Sequence, residues 1–168
     1  MLFRSGLEID GEVAVAAIYD PSRRELFTAE VGHGAFLNGE ALHVSSTGQL
    51  VDSLLVTGFP YTVHEQGSDL VGLFGRFLGR ARAVRRLGSA ALDLCYVAAG
   101  RFDGFWEQHL KPWDVAAGAL IVREAGGVVT GMDGAPFEMA AGHLVASNGR
   151  IHPEALALID DFQREPGR

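Results

Sequence analysis

The chain has 168 residues, 48% of them hydrophobic, and carries 21 acidic against 14 Lys and Arg residues for a formal net charge of −7. That length and apolar content support one well-buried core and are not those of a disordered chain. The acidic balance, with no basic run longer than Arg23-Arg24 or Arg85-Arg86, argues against a nucleic-acid partner and makes polyanions poor ligands without a metal.

Met1 to Ser5 has no apolar h-region, and no later apolar run is long enough to cross a bilayer, so a cytoplasmic protein without a membrane partner is expected. The first part then reads as β-structure. Leu7 to Ile9 and Val13 to Tyr19 are apolar runs separated by Asp10-Gly11, a dipeptide that supplies the positive φ angles of a tight hairpin. Glu25 to Glu30 follows the turn Asp20-Pro21-Ser22. Ala35 to Leu37 and Ala41 to Val44 flank Asn38-Gly39, a second hairpin signal. This is an antiparallel meander. Ser45 to Gln49 breaks it, and strands then alternate with helices, which is the pattern of an α/β layer. A boundary near residue 46 divides the chain into 1–46, a sheet unit, and 47–168, an α/β unit.

In the second part Leu54 to Thr57 is a strand, and Ser68 to Leu78 has helical spacing at Leu70, Leu73, Phe74, Phe77 and Leu78. Ala83 to Arg86 is a short strand. Ser89 to Ala99 reads as a helix that Ser89 caps and Gly100 ends. It contains the lone Cys95, which excludes an intrachain disulfide and is expected to be a buried thiol in a reducing compartment. Phe102 to Glu107 alternates as a strand, Pro112 leads into a helix that stops at Gly126-Gly127, Val128 to Thr130 and Leu144 to Ala146 are strands, and Pro153 to Phe162 is a terminal helix.

Asp114 is the most informative residue. It opens a helix whose next eight residues, Val115 to Val122, carry no ionisable group. Two readings stand: an Asp N-cap on a buried helix, or a carboxylate that holds a cation beside free backbone N–H groups. Ser89 and Asp114 at helix starts and Glu107 at a strand end sit at the edges of apolar elements, where α/β layers gather ligands. For Glu107 a solvated strand end is the competing reading. The same holds for Arg85 and Arg86, which could otherwise steer an anion. The six His residues show no zinc-type spacing and read as surface or capping residues. No Walker loop, nucleophile elbow or C-x-x-C occurs.

P-W-D-V-A-A-G-A-L-I-V-R-E-A-G-G at 112–127 resembles the C-terminal signature of the inositol monophosphatase family. G-H-G-A-F-L-N-G at 32–39, R-R-L-G-S-A-A-L-D-L at 85–94 and F-D-G-F-W-E at 102–107 agree with it in order, from about Gly6 to the last helix. The resemblance implies a layered α+β fold, a partial antiparallel sheet followed by a C-terminal α/β domain. It implies a Mg2+-dependent hydrolase of a small-molecule phosphate monoester, inositol 1-phosphate foremost, with histidinol phosphate, a sugar phosphate or a nucleotide 3′-phosphate as alternatives that Glu107 and the 57–68 loop would decide. Asp114 would be a magnesium ligand, while Gly88, Ser89, Ala90 and Glu107 would face the alcohol. Members are usually homodimers.

One departure qualifies this. The family's D-P-x-D-G-T metal signature, with an earlier Glu ligand and a water-activating Thr/Asp pair, lies ahead of the region where this chain begins. Asp20-Pro21-Ser22-Arg23-Arg24 is a decoy that falls on a later strand turn, and Asp133-Gly134 is only a late turn. By that comparison the chain is about the last two-thirds of a member, and a non-catalytic fragment is the further alternative. It is expected to be inactive or nearly so, with exposed sheet edges and a tendency to self-associate.

Overall fold

Four alternating layers of sheet and helix make up the molecule in the computed structural model, which describes residues 2–60 and 63–165 and, for 65–68, only the backbone. The first layer is an antiparallel sheet of β1 (Phe3–Ile9), β2 (Glu12–Asp20), β3 (Glu25–Glu30), β4 (Gly34–Leu37) and β5 (Glu40–Ala41), paired in that order. Both hairpin dipeptides take the left-handed conformation the sequence predicts: φ is 52° at Asp10 and 87° at Gly11, and 50° at Asn38 and 86° at Gly39. The Asn38 side chain ties its turn to the start of β3, accepting the Leu26 N–H at 2.9 Å and donating to the Arg24 carbonyl at 3.1 Å. Asp20 does turn work as well, its carboxylate accepting the Ser22 N–H at 2.9 Å and an Arg23 guanidinium N–H at 3.3 Å.

Three boundaries differ from expectation by more than two residues, the helix expected from Ser68 beginning already at Val63. β1 reaches back to Phe3 because β2 is long enough to pair Tyr19 with it. β5 ends at Ala41, and the chain to Val44 leaves the sheet, with the Val44 N–H donating to the Ala125 carbonyl at 3.1 Å.

The third layer is a mixed sheet of β6 (Leu54–Thr57), β7 (Ala83–Arg85), β8 (Gly104–Gln108), β9 (Val128–Thr130) and β10 (His143–Ser147), in the order β7-β6-β8-β10-β9. β6 runs parallel to β7 and β8, and β10 antiparallel to β8 and β9. Between the sheets lie α2 (Ala90–Ala98) and α3 (Pro112–Glu124), and α1 (Val63–Leu78) and α4 (His152–Arg164) cover the far face. This is the layered α+β architecture that the sequence predicts.

Strand alternation explains two cores. Phe105 of β8 points into the core shared by both sheets, with Ile18, Phe27, Leu94 and Ile121. Its neighbour Trp106 points the other way and stacks on Phe77 of α1, ring centroids 3.9 Å apart, in a second core with Leu55 and Ile159. α3 has a sheet on either side, so Val115 and Ala117 to Val122 are buried, which is why that stretch holds no charge. Cys95 is a buried free thiol, as expected.

Two side-chain expectations are corrected. Leu78, placed on the apolar face of α1, is 52% exposed, whereas Leu70, Leu73 and Phe77 are buried. His152 is not a surface residue. It is buried between β9 and β10, its ring nitrogens 3.0 Å from Thr130 Oγ1 and 2.9 Å from Ser147 Oγ, and desolvation lowers its pKa. Every residue of β1 is exposed, and Phe3, Leu7 and Ile9 join Val15 and Leu26 among the exposed apolar side chains. Among the described residues no helix is long and apolar enough to cross a membrane.

Candidate functional site

The parallel strands β6, β7 and β8 point their carboxyl ends at one corner, where the starts of α2 and α3 also arrive. A pocket of about 480 Å³ opens there, lined by Gly58, Phe59, Arg86, Gly88, Ser89, Ala90, Glu107, His109 and Asp114, with Arg4 from β1. All five residues singled out from the sequence therefore line one cavity, at the place where open α/β sheets collect ligands. A larger cavity of about 710 Å³ lies between the β1–β2 hairpin and the later turns of α3. It holds none of them.

Asp114 is the third residue of α3, not its cap. Lys111 takes the N-cap position, and the Asp114 carboxylate reaches back to accept the Lys111 N–H through Oδ2 at 3.0 Å, a capping-box contact. Its other oxygen, Oδ1, lies 3.1 Å from Nη2 of Arg4. The N-cap reading thus names the right function for the wrong position, and both oxygens already have partners.

Ser89 is the N-cap residue of α2, with extended backbone at φ −145° and ψ 99°, but its hydroxyl makes no capping bond. The expected side-chain cap is absent. The first N–H groups of α2 beside Gly88 and Ala90 therefore present their donors at the pocket without a side chain from the helix start across them.

Glu107 is half-buried at the end of β8, against Gly58 of the β6 loop. A Cβ at position 58 would stand 2.3 Å from Oε2 of Glu107, so only glycine leaves room for this carboxylate. Burial first, and then the charge of Asp114, pushes its pKa up to about 7, with Arg86 acting in the opposite direction. Near neutrality this group can accept or donate a hydrogen bond. The competing reading of a solvated strand end fails for Glu107 but fits Arg85 and Arg86, both exposed, although the Arg86 guanidinium sits 5.2 Å from the centroid of the Phe59 ring.

The sequence passes over several neighbours. Asp93 in α2 is completely buried, neither carboxylate oxygen has a hydrogen-bond partner among the described residues, and burial, then the Glu107 charge, raises its pKa to about 8. Its signal was the one that exposed Asp114, a lone acid inside an apolar helix. Gly58 and His109 had no signal beyond loop composition, and Arg4 reaches Asp114 only through the pairing of β1. The expected 57–68 loop is shorter than the sequence suggests, since Thr57 ends β6 and α1 begins at Val63; positions 61–62 lie outside the described residues.

A divalent cation needs several oxygens. Among the described residues no group of three or more His, Cys, Asp or Glu side chains gathers to hold one. Asp114 with its two existing partners does not make such a site, so the residues present do not fit a resident Mg2+ by themselves.

Residues 6–164 match the sequence model of the inositol monophosphatase family. Over 155 residues the chain is 46% identical to the Nus factor SuhB of Escherichia coli (strain K12), covering 92% of this chain and 58% of that protein. It is 46% identical over 149 residues to the inositol-1-monophosphatase of Synechocystis sp., covering 89% of this chain and 52% of the relative. The chain spans little more than half the length of these relatives. The solved inositol monophosphatase of Anabaena (Nostoc) sp. PCC 7120 superposes with a TM-score of 0.91 at 44% identity, over 94% of this chain and 63% of that one. The chain belongs to the inositol monophosphatase family.

Proposed function

We propose that the chain supplies the alcohol-facing wall and one cation-binding carboxylate of a Mg2+-dependent phosphomonoester hydrolase, which splits an inositol phosphate with water into inositol and phosphate. The observation that carries this is the convergence of Gly88, Ser89, Ala90, Glu107 and Asp114 on one pocket. Glu107, poised near neutrality and seated against Gly58, is suited to hold a substrate hydroxyl as acceptor or donor. The N–H groups at the start of α2 suit the ester's oxygens. Mg2+ would neutralise the dianionic ester and activate water, which one carboxylate cannot arrange. The chain alone is therefore inactive or weakly active, and its ligand set is completed by groups such as those in the remaining length of its relatives.

Two measurements test this. The purified chain should release no more phosphate from inositol 1-phosphate with Mg2+ than a buffer control. A chimera that places the N-terminal region of the Synechocystis relative ahead of Gly6 should hydrolyse it, and Asp114→Asn should lower its kcat by roughly 100-fold or more, beyond the loss typical of groups that only support a metal ligand. A chimera whose kcat is unchanged by Asp114→Asn would remove the assignment.

A further inference from the structure

β1 stands at the end of the strand order of the first sheet, so among the described residues its outer edge has no partner strand, and every residue of it is exposed. Such an edge offers a row of N–H and C=O groups to any strand that fits it, and folded proteins blunt it with proline, lysine or a bulge. β1 contains neither proline nor lysine. Its register with β2 shifts between Leu7 and Glu8, but the extra residue, Ala14, belongs to β2, so β1 keeps its own alternation. Phe3, Leu7 and Ile9, each more than half exposed, therefore share the outer face with Val15, while Arg4, Gly6 and Glu8 share the side on which Gly6 lies against Ala116 and Ala117.

The strand Phe3-Arg4-Ser5-Gly6-Leu7-Glu8-Ile9 is complementary to its own reverse about Gly6. We propose that β1 pairs with β1 of a second copy of this chain, antiparallel and centred on Gly6, and joins the two first sheets into one. In that register Arg4 of each copy faces Glu8 of the other, and Phe3 faces Ile9 at either end of the outer face. Shifting the register in either direction shortens the ladder and takes Arg4 off Glu8. The backbone ladder and the apolar pairs supply the attraction, while the crossed charges select the register, since exposed ion pairs add little affinity. The symmetry is closed: β1 is used once, and β5 at the opposite edge is only two residues long, so association stops at two copies. The pairing also brings Glu8 of each copy beside the Arg4 that lines the candidate pocket of the other.

Sedimentation velocity of the purified 168-residue chain over a range of concentrations should show a monomer–dimer equilibrium. Glu8→Arg sets like charges at both crossed positions and should raise the dissociation constant about tenfold, and Arg4→Glu should do the same. An equimolar mixture of the two variants restores both attractive pairs and should form a heterodimer at least as readily as the wild type self-associates; far-UV circular dichroism verifies the fold of each variant. Hydrogen exchange read by mass spectrometry should show protection of the β1 amides that rises with protein concentration. A chain that stays monomeric at every concentration would overturn the proposal. So would a dimer whose β1 amides exchange alike at all concentrations, since its contact would lie on a face and not on this edge, and so would a dimer that neither charge reversal weakens.

Discussion

Replacing Asp93 by Asn should stabilise the protein by an amount that grows with pH. The wild-type carboxyl is fully buried and unpartnered among the described residues, and burial, then the Glu107 charge, moves its pKa from 3.8 to about 8. Between these two values the folded chain keeps a proton that the unfolded chain has released. Stability therefore falls with rising pH, by about 1.4 kcal/mol per unit. The contribution is fully present below about pH 4, is lost progressively towards pH 8 and is flat above it. Asn does not titrate, so the advantage of the variant should grow by about 3 kcal/mol between pH 5 and pH 7. The amide's own buried donors cost about 1–3 kcal/mol at every pH, which offsets the two curves without changing the slope between them. Urea unfolding followed by far-UV circular dichroism at pH 5, 6 and 7 measures that slope. For a chain of this length it corresponds to a relative rise in Tm of about 6–12 °C over the same interval. Parallel pH profiles for the two proteins would refute the reasoning, since they would mean that Asp93 ionises as readily in the folded chain as in the unfolded one.

Two further substitutions probe the site and its support. Gly58→Ala brings a Cβ to within 2.3–2.4 Å of the Glu107 carboxyl atoms, so the carboxylate must swing into solvent. Its midpoint in a carbon-13 NMR titration should drop from about 7 towards 4.5, and an unchanged midpoint would show that backbone moved instead. Phe77→Ala removes the ring stacked 3.9 Å from Trp106 and should cost about 3–5 kcal/mol in chemical denaturation. Fluorescence should shift to the red through the buried Trp106 and not through Trp113, already 64% exposed; an unshifted spectrum would contradict the packing.

What the sequence discloses is what local chemistry decides. Asp10-Gly11 and Asn38-Gly39 locate their hairpins because few other dipeptides tolerate two positive φ angles. β3, β6 and β9 have the bounds that their apolar runs predict. The uncharged stretch after Asp114 marks a helix buried on both sides, and the pocket gathers all five candidate residues. What escapes is decided by distant partners. The start of β1 depends on Tyr19, the burial of His152 on Thr130 and Ser147, and the pairing of Arg4 on the docking of β1 beside α3. Lys111 holds the N-cap while Asp114, at the third helical position, accepts the Lys111 N–H, a donor that an N-cap side chain would not reach.

The place of α3 between the two sheets also imposes an order in time on synthesis. The first sheet is complete at Ala41, yet the helix that covers its inner face ends only at Glu124. At ribosomal rates of about 5–20 residues per second, Ile18 and Phe27 wait several seconds for that cover. The nascent sheet must pass this interval with its inner face open to water or to whatever binds emerging chains, α2 arriving first and the uncharged stretch of α3 completing the cover.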